Sequence, residues 1–91
     1  MRKFIIERDL PAIGSADREA LKAAAQKSNA VLRELGPDIQ WVESYVAGDR
    51  TFCVYLAKSE ELIREHARRS GFPATRIVEV RKMIDPTTAA G

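Results

Sequence analysis

Apolar and polar positions along the chain fall into six periodic segments. Residues 3–9 (KFIIERD) are short and rich in β-formers, and Leu10-Pro11 with Gly14 closes them as a first strand. Leu21, Ala24, Ala25, Ser28, Val31, Leu32 and Leu35 recur at three- and four-residue steps. That spacing predicts a helix of about five turns with one apolar stripe. Ser15 is its expected cap, Asp17 and Glu19 sit in the first turn where the dipole favours acids, and Gly36-Pro37 ends it. Residues 39–47 and 50–57 are β-rich and flank Gly48-Asp49, a pair suited to a tight primed hairpin turn. Ser59 caps a second helix, with Glu60 and Glu61 at its start, Arg68 and Arg69 at its end, and Gly71 and Pro73 as stops. Residues 75–84 predict a last strand, and 86–91 a loose tail.

The order β-α-β-β-α-β predicts a single ferredoxin-like α+β domain over residues 1–85: a four-stranded antiparallel sheet with two helices on one face. Right-handed crossovers put the first and third strands at its centre. A two-residue turn pairs Ala47 with Arg50, Tyr45 with Phe52, Glu43 with Val54 and Trp41 with Leu56, and these side chains share one face. Val42, Ser44, Val46, Cys53, Tyr55 and Ala57, mostly small, are expected under the helices. Phe4 and Ile6 are placed with Trp41, Tyr45, Phe52, Val54 and Leu56 on the uncovered face, an apolar patch larger than monomers tolerate. The simplest cover is a second copy, giving a homodimer of the α+β barrel type whose sheet faces line an interface cavity.

Composition narrows the classes. Of 91 residues 45% are apolar and 31% charged, which is globular. A net charge of +2 gives no reason to expect nucleic acid or an anionic membrane as partner. One cysteine excludes a disulfide framework and a Cys-rich zinc site. No apolar run approaches the ~18 residues of a membrane span, and the apolar start at Phe4-Ile5-Ile6 is too short for a signal peptide. A small soluble cytoplasmic protein is expected.

Four groups carry the candidate chemistry. His66, the single histidine, borders the apolar stripe of its helix. It is either a boundary residue bonded to a backbone carbonyl or a metal ligand or proton-transfer group, and as a ligand it needs help from carboxylates, the thiol or a second subunit. Glu43 projects from the aromatic face, and alternation places Arg8, Ile77, Glu79 and Arg81 beside it. Either an Arg8 or Arg81 pair with Glu43 fixes dimer geometry, or Glu43 and Glu79 form the polar floor of a ligand cavity walled by Trp41, Tyr45 and Arg8. Cys53 is a buried packing residue rather than a nucleophile. The Arg50-Thr51-Phe52-Cys53-Val54-Tyr55 strand matches the aromatic pattern of RNA-recognition domains poorly, and no phosphate loop or hydrolytic triad is present.

Over nearly its whole length the chain resembles a family of small bacterial ferredoxin-like proteins of unknown function, one branch of which is nickel-binding or nickel-responsive. The resemblance rests on Phe4-Ile5-Ile6-Glu7-Arg8 with Leu10-Pro11, on Gly36-Pro37 before Ile39-Gln40-Trp41-Val42, and on Ser44-Tyr45-Val46 through Cys53-Val54-Tyr55. His66-Ala67, Gly71-Phe72-Pro73-Ala74, Glu79-Val80 and Ile84-Asp85-Pro86 complete it. It implies a dimer built on the sheet and nickel binding. Relatives carry further histidines near Arg8 and Ser70; only His66 matches here. The leading expectation is a non-catalytic protein binding a divalent metal, nickel by resemblance with His66 and Glu43 as ligands, or a small molecule. The competing one is a dimeric barrel enzyme acting on a small organic substrate or haem, with Glu43, Glu79 and His66 in acid/base or axial-ligand roles. A third is an interaction module without ligand.

Overall fold

The computed structural model describes residues 1–90, so Gly91, the end of the expected tail, lies outside the described residues. The elements run β1 (Arg2–Asp9), a 3-10 turn (Ile13–Ser15), α1 (Arg18–Leu35), β2 (Ile39–Ala47), β3 (Arg50–Ala57), α2 (Glu60–Ser70), β4 (Arg76–Glu79) and a second 3-10 turn (Pro86–Ala90). The sheet order is β2-β3-β1-β4 with antiparallel pairs throughout, the ferredoxin-like arrangement. No helix is long and apolar enough to cross a membrane among the described residues.

Local chemistry accounts for the boundaries. Asp17, not Ser15, caps α1: its side chain accepts from the Ala20 amide at 2.8 Å, and a carboxylate there also gains from the helix dipole. Ser15 belongs to the preceding turn, where its Oγ donates to the Ala12 carbonyl. The last strand, Arg76–Glu79, is shorter than the expected 75–84. Beyond it the Val80 amide still donates to the Lys3 carbonyl at 2.8 Å.

Register decides which side chains meet the helices. Along β1 and β3 the pairing is unbroken: Phe4 faces Tyr55, Ile6 faces Cys53 and Arg8 faces Thr51. Phe4, Ile6 and Arg8 therefore lie on the helix-covered face, with Ile5 on the open one, which reverses the expected orientation of this strand. In β4 the same pairing puts Ile77 and Glu79 beside Ile6 and Phe4 and turns Val78 outward, again the reverse of the expectation. The hairpin pairs Ala47 with Arg50, Tyr45 with Phe52 and Glu43 with Val54 as expected. A bulge between Trp41 and Glu43 then absorbs Val42, so that Trp41 faces Tyr55 rather than Leu56. One extra residue changes the face of everything before it.

Phe4, Ile6, Ile39, Cys53, Tyr55 and Ala57 form the inner face of the sheet, meet Ile63 of α2, and are flanked by Leu32, Leu35 and Leu62. The connection from β1 to α1 is anchored on the β2–β3 turn: the Leu10 amide donates to the Asp49 carbonyl at 3.0 Å, and Gly14 packs on the Gly48 backbone. A Cβ at Gly14 would collide with the Gly48 carbonyl oxygen. Gly14→Ala is expected to cost about 1–3 kcal/mol in urea unfolding, the usual range for overpacking a closed site; an unchanged midpoint would show that this anchor is slack.

Candidate functional site

Helix α1 does not bury its whole stripe. Ser28 and Val31 are buried, but Leu21 is 39% exposed and Ala24 and Ala25 are half-buried. This N-terminal half of the helix overhangs a half-open cavity of about 120 Å³. Its apolar walls come from Leu10, Ile13, Leu21, Ala24, Ala25, Trp41, Val46 and Phe72, and its polar atoms from Arg8, Ser28, Ser44, Thr51 and Tyr55. The Trp41 ring stacks on Tyr55 with centroids 6.5 Å apart and planes at 17°, while its Nε1 donates to Ser44 Oγ at 2.8 Å. The bulge in β2 thus supplies the cavity with its indole wall.

A chain of polar groups runs through the core beside this cavity. The Tyr55 hydroxyl lies 3.3 Å from Ser28 Oγ, which lies 3.1 Å from His66 Nε2; the same nitrogen lies 3.4 Å from the Ser28 carbonyl oxygen. A carbonyl only accepts, so this contact assigns the proton to Nε2 and leaves Nδ1 a bare lone pair with no partner. His66 is 1% exposed. Burial lowers its pKa, the Arg8 charge lowers it further, and the Ser28 carbonyl opposes both. Burial raises the pKa of the Tyr55 phenol, against smaller opposing effects from Ser28 and Arg8.

Arg8 is the unusual member. It is 2% exposed, and no ion pair among the described residues includes it. Nη1 donates to the Pro73 carbonyl at 3.0 Å and the Phe72 carbonyl at 3.4 Å; Nη2 has no partner. The guanidinium carbon also lies 5.9 Å from the centre of the Phe72 ring, and Lys27 Nζ lies 5.7 Å from the same centre.

Of the residues picked from sequence, the structure brings Arg8 and Trp41 together at this cavity, with His66 behind it. Glu43 and the exposed Tyr45 stand on the opposite, open face, because the register there sends them away from the helices. His66 and Glu43 are therefore separated by the sheet and do not share an ion within one chain. Glu79 lies at the β4 edge and accepts from Arg2 Nε at 3.0 Å and Nη2 at 2.7 Å, an ion pair that lowers its pKa. Glu43 pairs with neither Arg8 nor Arg81. Ser28, Thr51 and Phe72 line the cavity and were not among the candidates; a serine inside the apolar stripe of α1 was the available signal. No group of three or more His, Cys, Asp or Glu side chains gathers among the described residues. The orphan Nδ1 of His66 has a buried cation rather than a carboxylate nearby, and the positions near which further histidines are expected hold Arg8 and Ser70, both buried. These residues do not fit a nickel centre within one chain.

The neutral, buried His66 couples stability to pH. Its folded pKa lies below the ordinary value of 6.5, so on acidification the unfolded chain takes up a proton that the folded one refuses. The stabilisation is present above pH 6.5 and is lost as the pH falls below it toward the folded value. Melting temperatures followed from about pH 7.5 to about pH 5 are expected to fall, and His66→Gln to flatten that fall; parallel slopes would remove His66 as the cause.

The crystal structure of SCO4226 from Streptomyces coelicolor A3(2) superposes with a TM-score of 0.74 at 21% identity, covering 90% of this chain and 99% of that one, a likeness of fold. No curated protein sequence matches the chain. The family model described as nickel responsive protein SCO4226-like matches residues 4–80, from the strand that carries Arg8 to the edge strand beyond Glu79. The chain therefore belongs to the SCO4226-like family of nickel responsive proteins.

Proposed function

We propose that this chain is a non-catalytic, homodimeric binding protein that takes a small molecule between α1 and the sheet. The observation that carries the reading is the unfilled apolar space under Leu21, Ala24 and Ala25, beside a polar cluster whose hydrogen-bonding capacity is incompletely used. Protein interiors are otherwise packed to crystal-like density, and concave, mostly apolar sites with a few polar groups are where small ligands bind. Trp41 is the single tryptophan and lines the space, so its fluorescence reports on it. Benzene, isovaleramide and isovalerate, each titrated separately, are the probes. At least one saturable change in Trp41 emission, lost in Ala25→Phe, is expected; no saturable response to any of them would overturn the reading.

The homodimer is supported by the open face, where Ile5, Tyr45, Phe52, Val54, Leu56 and Val78 present apolar surface that no helix covers. Patches of this kind mark interfaces, and a symmetric second copy is the common occupant. Light scattering is expected to give twice the 10.2 kDa chain mass, and Val54→Lys to return it to the monomer with unchanged circular dichroism. A wild-type monomer at micromolar concentration would exclude the dimer.

Nickel is the second reading, favoured by the family's description and by the free Nδ1 of His66. It requires ligands from outside the His66 cluster. Calorimetric titration of tag-free protein with nickel chloride tests it: no heat, or equal heat from wild type and His66→Ala, removes His66 as a nickel ligand.

A further inference from the structure

Resting on the small-molecule reading above, we infer that the cavity selects a small monocarboxylate with a compact apolar body, its carboxylate held by Arg8 and its body lying among Leu21, Ala24, Ala25, Trp41 and Val46. An ion taken out of water costs several kcal/mol unless it is paired. Arg8 is buried, has no carboxylate partner among the described residues, and meets two carbonyls through Nη1 alone, leaving the Nη2 donors unused. A guanidinium in that state is an incomplete ion pair, and the partner it lacks is an anion. The other charged or titrating groups agree. Lys27 stands over the Phe72 ring that Arg8 also approaches, His66 and Tyr55 are neutral near pH 7, and no Asp or Glu lines the cavity.

Size and polarity set the rest of the ligand. A cavity of about 150 Å³ holds benzene, so the 120 Å³ here takes a body of comparable or smaller size, with room toward its open mouth. One guanidinium matches one negative charge, and the apolar walls favour a branched or cyclic hydrocarbon over a sugar or a nucleotide. Inorganic phosphate would match the charge poorly and leave the walls without a partner.

Isovalerate and isovaleramide, nearly identical in shape, isolate the charge. Wild-type protein is titrated with each at constant ionic strength, with Trp41 fluorescence and the amide shifts of Ala24 and Ala25 as readouts. Isovalerate is expected to bind about tenfold or more tightly than the amide, as a charge-assisted contact implies. Arg8→Gln is expected to bring the two within about twofold of each other, and Arg8→Lys to keep part of the preference. Equal affinities in the wild type would overturn the carboxylate selection and leave the small-molecule reading standing. No response to either compound, with benzene still binding, would overturn it likewise; silence from all three overturns both. The wild-type comparison requires no substitution, so a variant that fails to fold does not blunt the test.

Discussion

The pairing of β1 with β3 is the constraint on which the rest depends. Eight consecutive residues pair without a slip, from Arg2 opposite Ala57 to Asp9 opposite Arg50. Side chains alternate with period two, so this register alone sends Phe4, Ile6 and Arg8 under the helices and Ile5 and Glu7 to the other side. Phe4 and Ile6 then form the floor of the core with Tyr55 and Ile63. Arg8, last in the column, arrives where the core gives out, beneath α1 and against the carbonyls that follow α2. A hydrocarbon there would simply extend the core. A guanidinium makes that end of the core a polar floor.

Much of this was legible from the residues themselves. The turn at Gly48-Asp49, the Gly36-Pro37 stop and the stripe of α1 each express a local steric or periodic rule, and the element order followed from them. What was not legible were the choices that local rules leave open. Strand β1 is apolar on both faces, so alternation fixed which residues travel together but not which set faces the helices; long-range pairing decides that. The β2 bulge is similar. Nothing in Gln40-Trp41-Val42-Glu43 marks an inserted residue, yet Val42 drops out of the ladder because Trp41 gains an inward seat on Tyr55 and a hydrogen bond to Ser44. Arg8 and Trp41, expected together on the open face, thus meet on the helix-covered one.

The polar cluster shows how a single cation sets the character of a site. Tyr55, Ser28 and His66 would by themselves suit many ligands, including a metal ion at the free Nδ1 of His66. With Arg8 buried beside them the local field is positive, which lowers the affinity of the imidazole for a proton and, by the same physics, for any cation. Family membership and local chemistry thus point in different directions. The family's description speaks of nickel, whereas the residues gathered in this chain favour negative charge. A shared fold does not fix the chemistry of the site it carries, and at 21% identity the likeness is one of fold.

The separation of the two faces has a consequence for how assembly and binding relate. The apolar set Ile5, Phe52, Val54 and Leu56 and the cavity under Ala24 and Ala25 lie on opposite sides of one sheet. A second copy packed on the open face would leave the mouth of the cavity untouched, in contrast to a barrel whose interface encloses its ligand. Coupling between the two would have to pass through the sheet, where β3 carries outward apolar residues next to inward cavity residues: Phe52 beside Cys53, Val54 beside Tyr55. A packed sheet transmits strain but does not bend freely at that distance. A dimer built on the open face and a ligand held under α1 would thus be separable, since the two surfaces share no side chain.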